Sequence, residues 1–188
     1  MSMENCFCSE VEQIEVNTRL LLVVHSKELK RTTNTGRLAV HSLGNSQLLV
    51  RGEMGNPLNL SPFLNGEYES LLLFPSKEAE ELTPEVLKRF RRPIQLIVPD
   101  GNWRQASKLE IRQKEISHLP KVMIKEKNEA AFHLRKENSI YGMSTLEAIA
   151  KAMGILEGKD VEQRLQHLYQ LKLQRTLKGR GIKIENRY

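Results

Sequence analysis

The chain has 188 residues but only two cysteines, Cys6 and Cys8, one tryptophan, Trp103, and an aromatic share of 5%. Two thiols separated by one residue are too close for an ordinary structural disulfide, which points to a reduced, cytoplasmic protein. They also supply two thiolates where a structural zinc takes four ligands, so no metal is expected. No apolar run approaches the roughly 20 residues of a membrane helix. The first residues are polar and lack the apolar core of a signal peptide. The histidines, at 25, 41, 118, 133 and 167, show no ligand spacing. Gly-x-Ser-x-Gly, His-Glu-x-x-His, paired Cys-x-x-Cys and Walker-type phosphate loops are absent, which sets aside the hydrolase, zinc and P-loop readings.

What is present suits one α/β domain. At 39% apolar residues a chain of this length has enough for a core, since it buries roughly 70% of its unfolded surface. Lys plus Arg number 29 against 23 Asp plus Glu, a net charge of +6 that favours an anionic partner. Residues 19–25 (RLLLVVH), 47–51 (QLLVR), 70–74 (SLLLF), 94–98 (IQLIV) and, more weakly, 121–124 (KVMI) are short runs of near-continuous hydrophobicity. Such runs mark strands covered on both faces. Thr83-Pro84-Glu85 opens a helix expected to run to Arg91, and residues 103–116 carry an amphipathic helix with apolar positions 103, 106, 109, 111 and 116. Ser144 followed by Glu147 is a capping box, opening a helix that Gly154 or Gly158 ends. A last helix is expected over residues 160–178. The alternation predicts a mainly parallel sheet flanked by helices. Residues 52–69 form the one long loop, a candidate lid or insertion. The organisation expected is a single domain: an arm over 1–18, an α/β core over 19–158, and a basic helix and tail over 159–188.

In such sheets ligands gather at the carboxyl ends of strands. Behind the first strand, Asn34 and Thr35 cap a helix whose first turn holds Gly36 and Arg37, a geometry that suits an anion as well as it suits an ordinary capped helix. Behind the fourth comes Pro99-Asp100-Gly101-Asn102-Trp103-Arg104. Here Asp100 could orient an amine, accept a proton or cap the helix that Trp103 opens, and Trp103 could line a ligand or anchor the core. Ser139-Ile140-Tyr141-Gly142-Met143 is another glycine-bearing turn leading into a helix. Residues 161–188 hold seven basic side chains against two acidic ones. Lys172, Arg175 and Lys178 share one helix face, a pattern that suits a phosphate backbone or a solvated surface.

Five segments then fall into the order and spacing of one family: Cys6-x-Cys8, Asn34-Thr35-Gly36-Arg37-Leu38, Leu71-Leu-Leu-Phe74-Pro75, Asp100-Gly-Asn-Trp103-Arg104-Gln105-Ala106 and Ser144-Thr145-Leu146-Glu147-Ala148. The sequence resembles a bacterial member of the DTW-domain family from Cys6 into the last helix. The resemblance implies a tRNA-uridine aminocarboxypropyltransferase, which moves the 3-amino-3-carboxypropyl group of S-adenosylmethionine onto a ring nitrogen of a tRNA uridine and releases methylthioadenosine. It further implies a SPOUT-like fold with a knotted cofactor-binding region. Two departures stand out. Asn102 replaces the motif's usual threonine, and the family's cysteine cluster is reduced to Cys6 and Cys8.

On that resemblance Asp100 and Trp103 are the expected catalytic pair, with Asp100 either taking the uridine imino proton or fixing the donor's amino group. The donor is expected between three loops: Leu73, Phe74, Pro75 and Ser76; Asp100, Gly101, Asn102 and Trp103; and Tyr141, Gly142, Met143, Ser144 and Thr145, with Glu147 behind. Asn34, Thr35, Gly36, Arg37, Arg104, Lys172, Arg175 and Lys178 are expected on the RNA. The partners implied are tRNA and S-adenosylmethionine, with neither DNA nor membrane. A methyltransferase holding the same donor turned around, and a non-catalytic RNA-binding protein, are the alternatives.

Overall fold

The run RLLLVVH forms β1 (Arg19–His25), and its five central residues are fully buried. A strand apolar on both sides of the pleat needs a layer on each face. Two separate apolar clusters supply them, Leu20, Leu22 and Val24 facing one and Leu21 and Val23 the other. The computed structural model describes residues 7–125, 143–179 and 181, with Trp103 by its backbone alone.

Beside β1 lie β2 (Ser46–Arg51), β3 (Glu69–Leu73), β4 (Glu80–Glu81), β5 (Ile94–Asp100) and β6 (Lys121–Met123). Among the described residues they make one six-stranded sheet in the order β2-β1-β5-β3-β6-β4. Every neighbouring pair is parallel, as the hydrophobic runs predict. The expected strand boundaries hold to within a residue or two. β4 lies outside those runs: its two glutamates are exposed and show no apolar pattern, and pairing with Val122 and Met123 alone makes them a strand.

The helices are α1 (Gly36–Ser42), α2 (Pro84–Leu87), α3 (Trp103–Arg112), α4 (Thr145–Leu156) and α5 (Lys159–Gly179). α2 begins as expected, with Thr83 Oγ1 accepting from Val86 N at 3.3 Å, but is a single turn rather than a helix to Arg91. The chain must return to the amino edge of the sheet to start β5, and the residue before Pro93 is kept out of the helical region. α3 is also shorter than expected. Gln113 leaves helical geometry (φ −106°, ψ 84°), and a 3₁₀ turn, Lys114–Ile116, carries Ile116 back into the core. Ile111 therefore faces solvent, 75% exposed, instead of joining the buried stripe. α4 ends before Gly158, whose φ of +112° suits a chain leaving a helix, while Gly154 stays inside it. A Cβ on Gly154 would collide with Glu162, so this glycine lets α4 and α5 pack closely.

Residues 52–69 are not an open lid. Leu60 is fully buried, Leu58, Phe63 and Leu64 pack on the second cluster, and Leu60 N donates to Glu115 Oε1 at 3.1 Å. α3 is only ten residues long, and this loop covers what it leaves of the second face.

The strand order reverses between β1 and β5. After β1 the chain crosses through α1 to β2 on one side, and after β5 it crosses through α3 towards β6 on the other. Right-handed crossovers running in opposite directions place their helices on opposite faces. Ala39 of α1 accordingly joins the first cluster and Leu109 of α3 the second. The gap outside the carboxyl ends of β1 and β5 is the topological switch point, where open α/β sheets bind ligands.

Candidate active site

Asp100 ends β5 at that switch point and is only 5% exposed. The register Val24↔Asp100 sets its side chain on the face shared by Leu96 and Val98, towards α1 and α4. A buried carboxylate needs partners, and it has them from two helix starts. Asn34 Nδ2 donates to Oδ2, and Thr145 Oγ1 donates to Oδ1 at 2.6 Å. The positive end of the α4 dipole adds to the local preference for an anion.

The two helix starts are joined to each other as well. Thr35, 4% exposed, accepts at Oγ1 from Leu146 N at 3.3 Å, so its hydroxyl serves α4 rather than capping its own helix. The other oxygen function of this corner, Asn34 Oδ1, accepts from Arg37 N at 3.3 Å. Gly36 makes the approach possible, since a Cβ there would stand 3.0 Å from Thr145 Cγ2 and 3.1 Å from Leu22 Cδ1. The expected anion-friendly helix start at Asn34 and Thr35 is thus folded inward, onto Asp100.

Asp100 does not cap α3, one of the roles left open by the sequence. That belongs to Asn102, whose Oδ1 accepts from Gln105 N at 2.9 Å while Gln105 Oε1 accepts from Asn102 N at 2.8 Å, a full capping box. The amide standing where the family has threonine is therefore occupied by the helix, and Asp100 is left to the switch point. Gly101 (φ +153°) lies 2.8 Å, at an added Cβ, from Gln105 Oε1, so a side chain there would break the same box. Ser144 and Glu147 also form their predicted box, with Ser144 N donating to Glu147 Oε2 at 2.8 Å. Glu147 hence holds the start of α4, which carries Thr145.

The other expected residues divide. Leu73 is buried in the first cluster, on the Asp100 side, whereas Phe74 packs on the second. Pro75 is exposed, Ser76 is half-buried, and Met143 packs at the edge of the first cluster. Trp103 opens α3, but its side chain lies outside the described residues, as do Tyr141, Gly142 and Cys6. Cys8 is exposed, and among the described residues no group of three or more His, Cys, Asp or Glu could hold a metal.

Of the expected RNA-facing cations, Arg37 and Lys172 come together although they are far apart in sequence. Arg37 Nη1 donates to Leu29 O at 2.9 Å. Lys172 is 8% exposed, and burial, then the Arg37 charge, hold its ammonium below the usual lysine range. On the same helix, Arg175 Nη2 pairs with Glu10 at 3.1 Å. Arg104 and Lys178 are exposed.

A DTW domain model matches residues 1–177. The chain belongs to the DTW domain family. This DTW chain is 27% identical to the tRNA-uridine aminocarboxypropyltransferase 2 of Mus musculus over 97% of its own length and 64% of that protein. It is 25% identical to the protein of that name in Macaca fascicularis, over 81% of this chain and 53% of the relative. The chain thus spans between half and two thirds of the length of these relatives. The fold of the DTW chain is similar to that of the SAM-dependent rRNA:acp-transferase Tsr3 from Vulcanisaeta distributa, with a TM-score of 0.51 over 87% of this chain and 79% of that one, at 18% identity.

Proposed function

We propose that the chain transfers the 3-amino-3-carboxypropyl group of S-adenosylmethionine to a ring nitrogen of a tRNA uridine, releasing methylthioadenosine. The observation that carries this reading is the buried Asp100 carboxylate, oriented by Asn34 and Thr145 at the switch point of the sheet. Membership of the DTW family and relatives named for this transfer support it. The residues present suit a cationic donor: a fixed, desolvated anion faces the place where open α/β sheets hold nucleotides.

The donor supplies a sulfonium, so that attack by the uridine nitrogen on the chain's γ-carbon breaks that carbon–sulfur bond, leaves a neutral thioether and sets free the imino proton. Which of three carbons reacts is a matter of which lies in line with the nucleophile. Asp100 is the group placed to set that choice. Both its oxygens already accept hydrogen bonds, so it is a fixed carboxylate that in this reading either holds the donor's ammonium or takes the imino proton. In this reading Leu73 and Met143 offer apolar contact to the adenine, and Tyr141 and Gly142 belong to the same donor site. Trp103 is the companion catalytic residue in this reading. Arg37 and Lys172, with Arg104 and Lys178 further out, meet the RNA backbone, while Arg175 is engaged by Glu10. The same reading includes a SPOUT-like class with a knotted donor site, a single domain over residues 1–188, and a cytoplasmic location. No described helix is long and apolar enough to cross a membrane.

Incubation with tRNA and donor labelled in the methionine chain tests this, followed by nucleoside mass spectrometry. The expected product is a uridine heavier by an aminocarboxypropyl group. A methylated nucleoside would make the chain a methyltransferase, and absence of donor binding by calorimetry would make it an RNA-binding protein without this chemistry.

A further inference from the structure

The opposite face of the same rim carries a second charged group that the reaction above does not use. His25 ends β1 and Arg51 ends β2, and the two are register partners. Both follow the pleat of Leu21, Val23 and Leu49, so they lie on the side covered by α3, away from Asp100. Arg51 is only 5% exposed; its Nη2 donates to Gln105 O in α3, while its Nε is enclosed with no hydrogen-bond partner among the described residues. No carboxylate pairs with Arg51 or with Arg112 of the last α3 turn among the described residues. Glu28, the acid whose charge opposes these cations at His25, has its Oε1 3.3 Å from Arg31 Nε.

These cations also feel one another. Burial lowers the Arg51 guanidinium below its usual range, and the Arg112 charge adds to it. Burial likewise lowers His25, reinforced by Arg51, Lys27 and Arg112 and opposed by Glu28. His25 Nδ1 accepts from Lys27 N at 3.2 Å, which leaves the ring proton on Nε2 as a donor. The imidazole is held in place by the backbone of Gly52 (φ +78°), where an added Cβ would lie 3.0 Å from Nε2. A buried guanidinium with an unmet donor, beside two more cationic groups and an oriented imidazole N–H, is costly for a folded chain by itself. A tetrahedral anion with several acceptor oxygens, set at the rim, would offset the charge of all these groups and accept from the imidazole N–H.

We infer that His25, Arg51 and Arg112, with Lys27 beside them, form a subsite for a backbone phosphate of the RNA substrate. The inference rests on the tRNA reading of the Asp100 site and adds to it a second anchor. Val24 is the register partner of Asp100 and precedes His25, so His25 stands one strand spacing from the Asp100 strand and Arg51 two, roughly 10 Å. A base offered to Asp100 on one side of the rim would have a neighbouring phosphate gripped on the other, which fixes the strand across the switch point.

The test measures tRNA affinity as a function of salt for the full chain and for R112Q, H25Q and the double variant, with donor affinity followed by calorimetry. R91Q, an exposed arginine at the opposite edge of the sheet, is the control. R112Q is expected to lower the slope of log K against log salt by about one, H25Q to weaken binding with a smaller change of slope, and both to act uniformly across tRNA species. Donor affinity should not change. A wild-type chain that binds tRNA, with R112Q and the double variant matching it in affinity and slope, overturns the subsite alone. Equal weakening by R91Q overturns it too, because diffuse charge would then suffice. A wild-type chain that does not bind tRNA overturns both the subsite and the reading beneath it.

Discussion

The two faces of the carboxyl rim solve opposite problems. On the α1 and α4 side a buried anion is met by oriented donors from two helix starts, and the helices are themselves tied by Thr35 and Leu146. On the α3 side the buried charge is positive and incompletely met, with Arg51 Nε enclosed and Arg112 and Lys27 adding like charge. The first arrangement is stable without a ligand and is therefore suited to holding a fixed geometry. The second leaves unfavourable electrostatics that an anion would relieve, so it is suited to binding. Substitutions on the two sides should differ in kind: on the first, activity and stability move together, and on the second they separate.

The largest effect is expected at Asp100. Asp100→Asn keeps the shape and removes the charge, and turnover should fall by about a hundredfold or more. Its melting temperature should fall as well, because the new amide can accept from Thr145 but turns its own NH2 group towards Asn34 Nδ2 and leaves that buried donor unmet. Asp100→Ala leaves the buried Asn34 and the half-buried Thr145 without their acceptor and should cost about 1–3 kcal/mol in chemical denaturation. Full turnover in Asp100→Asn would reduce the clamp to a structural tie between helices and remove the asymmetry between the faces.

Gly36→Ala comes next. The new methyl would stand 3.0 Å from Thr145 Cγ2 and 3.1–3.2 Å from the Leu22 methyls, closer than ordinary contact. Leu22 is fully buried and cannot swing away. Overpacking of this kind costs about 1–3 kcal/mol and several degrees of melting temperature, and it should displace Thr145 from Asp100, lowering turnover as well. A stable and active Gly36→Ala would mean that the two helix starts need not meet.

Much of this architecture is readable from the chain alone, for physical reasons that differ by element. Parallel strands buried on both faces announce themselves by continuous hydrophobicity, so β1 is recovered to the residue from RLLLVVH. The Ser144 and Glu147 box is legible because both partners are local. The partner of Asp100 is not, since no spacing relates positions 34, 100 and 145, and only the reversal of strand order brings them together. Asn102 illustrates a different failure. An amide at the motif's threonine position is ambiguous in sequence, and only its contact with Gln105 identifies it as the cap. The long loop resembles a lid in sequence because its packed leucines, at 58, 60 and 64, follow no period. His25 and Arg51 are within reach of the same search that finds Asp100, being the last residues of their strands, but reading only the residues that follow each strand passes over cations at the strand ends.

Lys172 offers a smaller and sharper test. Its ammonium is buried, depressed by that burial and by Arg37, and has no acidic partner among the described residues. A group whose charged form is disfavoured in the fold destabilises it at neutral pH, because the unfolded chain holds the proton more tightly. Lys172→Met should therefore raise the melting temperature while lowering tRNA affinity and reducing the salt slope by about one. Lower stability with unchanged RNA binding would class Lys172 with the core, not with the substrate surface.

The smallest effect is the pH response of His25. Burial first, then Arg51 and Lys27, hold its proton affinity below the usual histidine value; Glu28 pulls the other way, and Arg112 adds a smaller push. Below about pH 6.5 the unfolded chain takes up this proton before the folded one does. Stability should accordingly fall as the solution is acidified through that value, and His25→Gln should remove this part of the decline. Bound RNA adds negative charge beside the ring and favours its protonated form, so tRNA should shift the histidine titration upward, a change followed by the NMR shifts of the His25 ring. A titration that stays put when tRNA is added would place the phosphate elsewhere and leave the cationic face of the rim without a ligand.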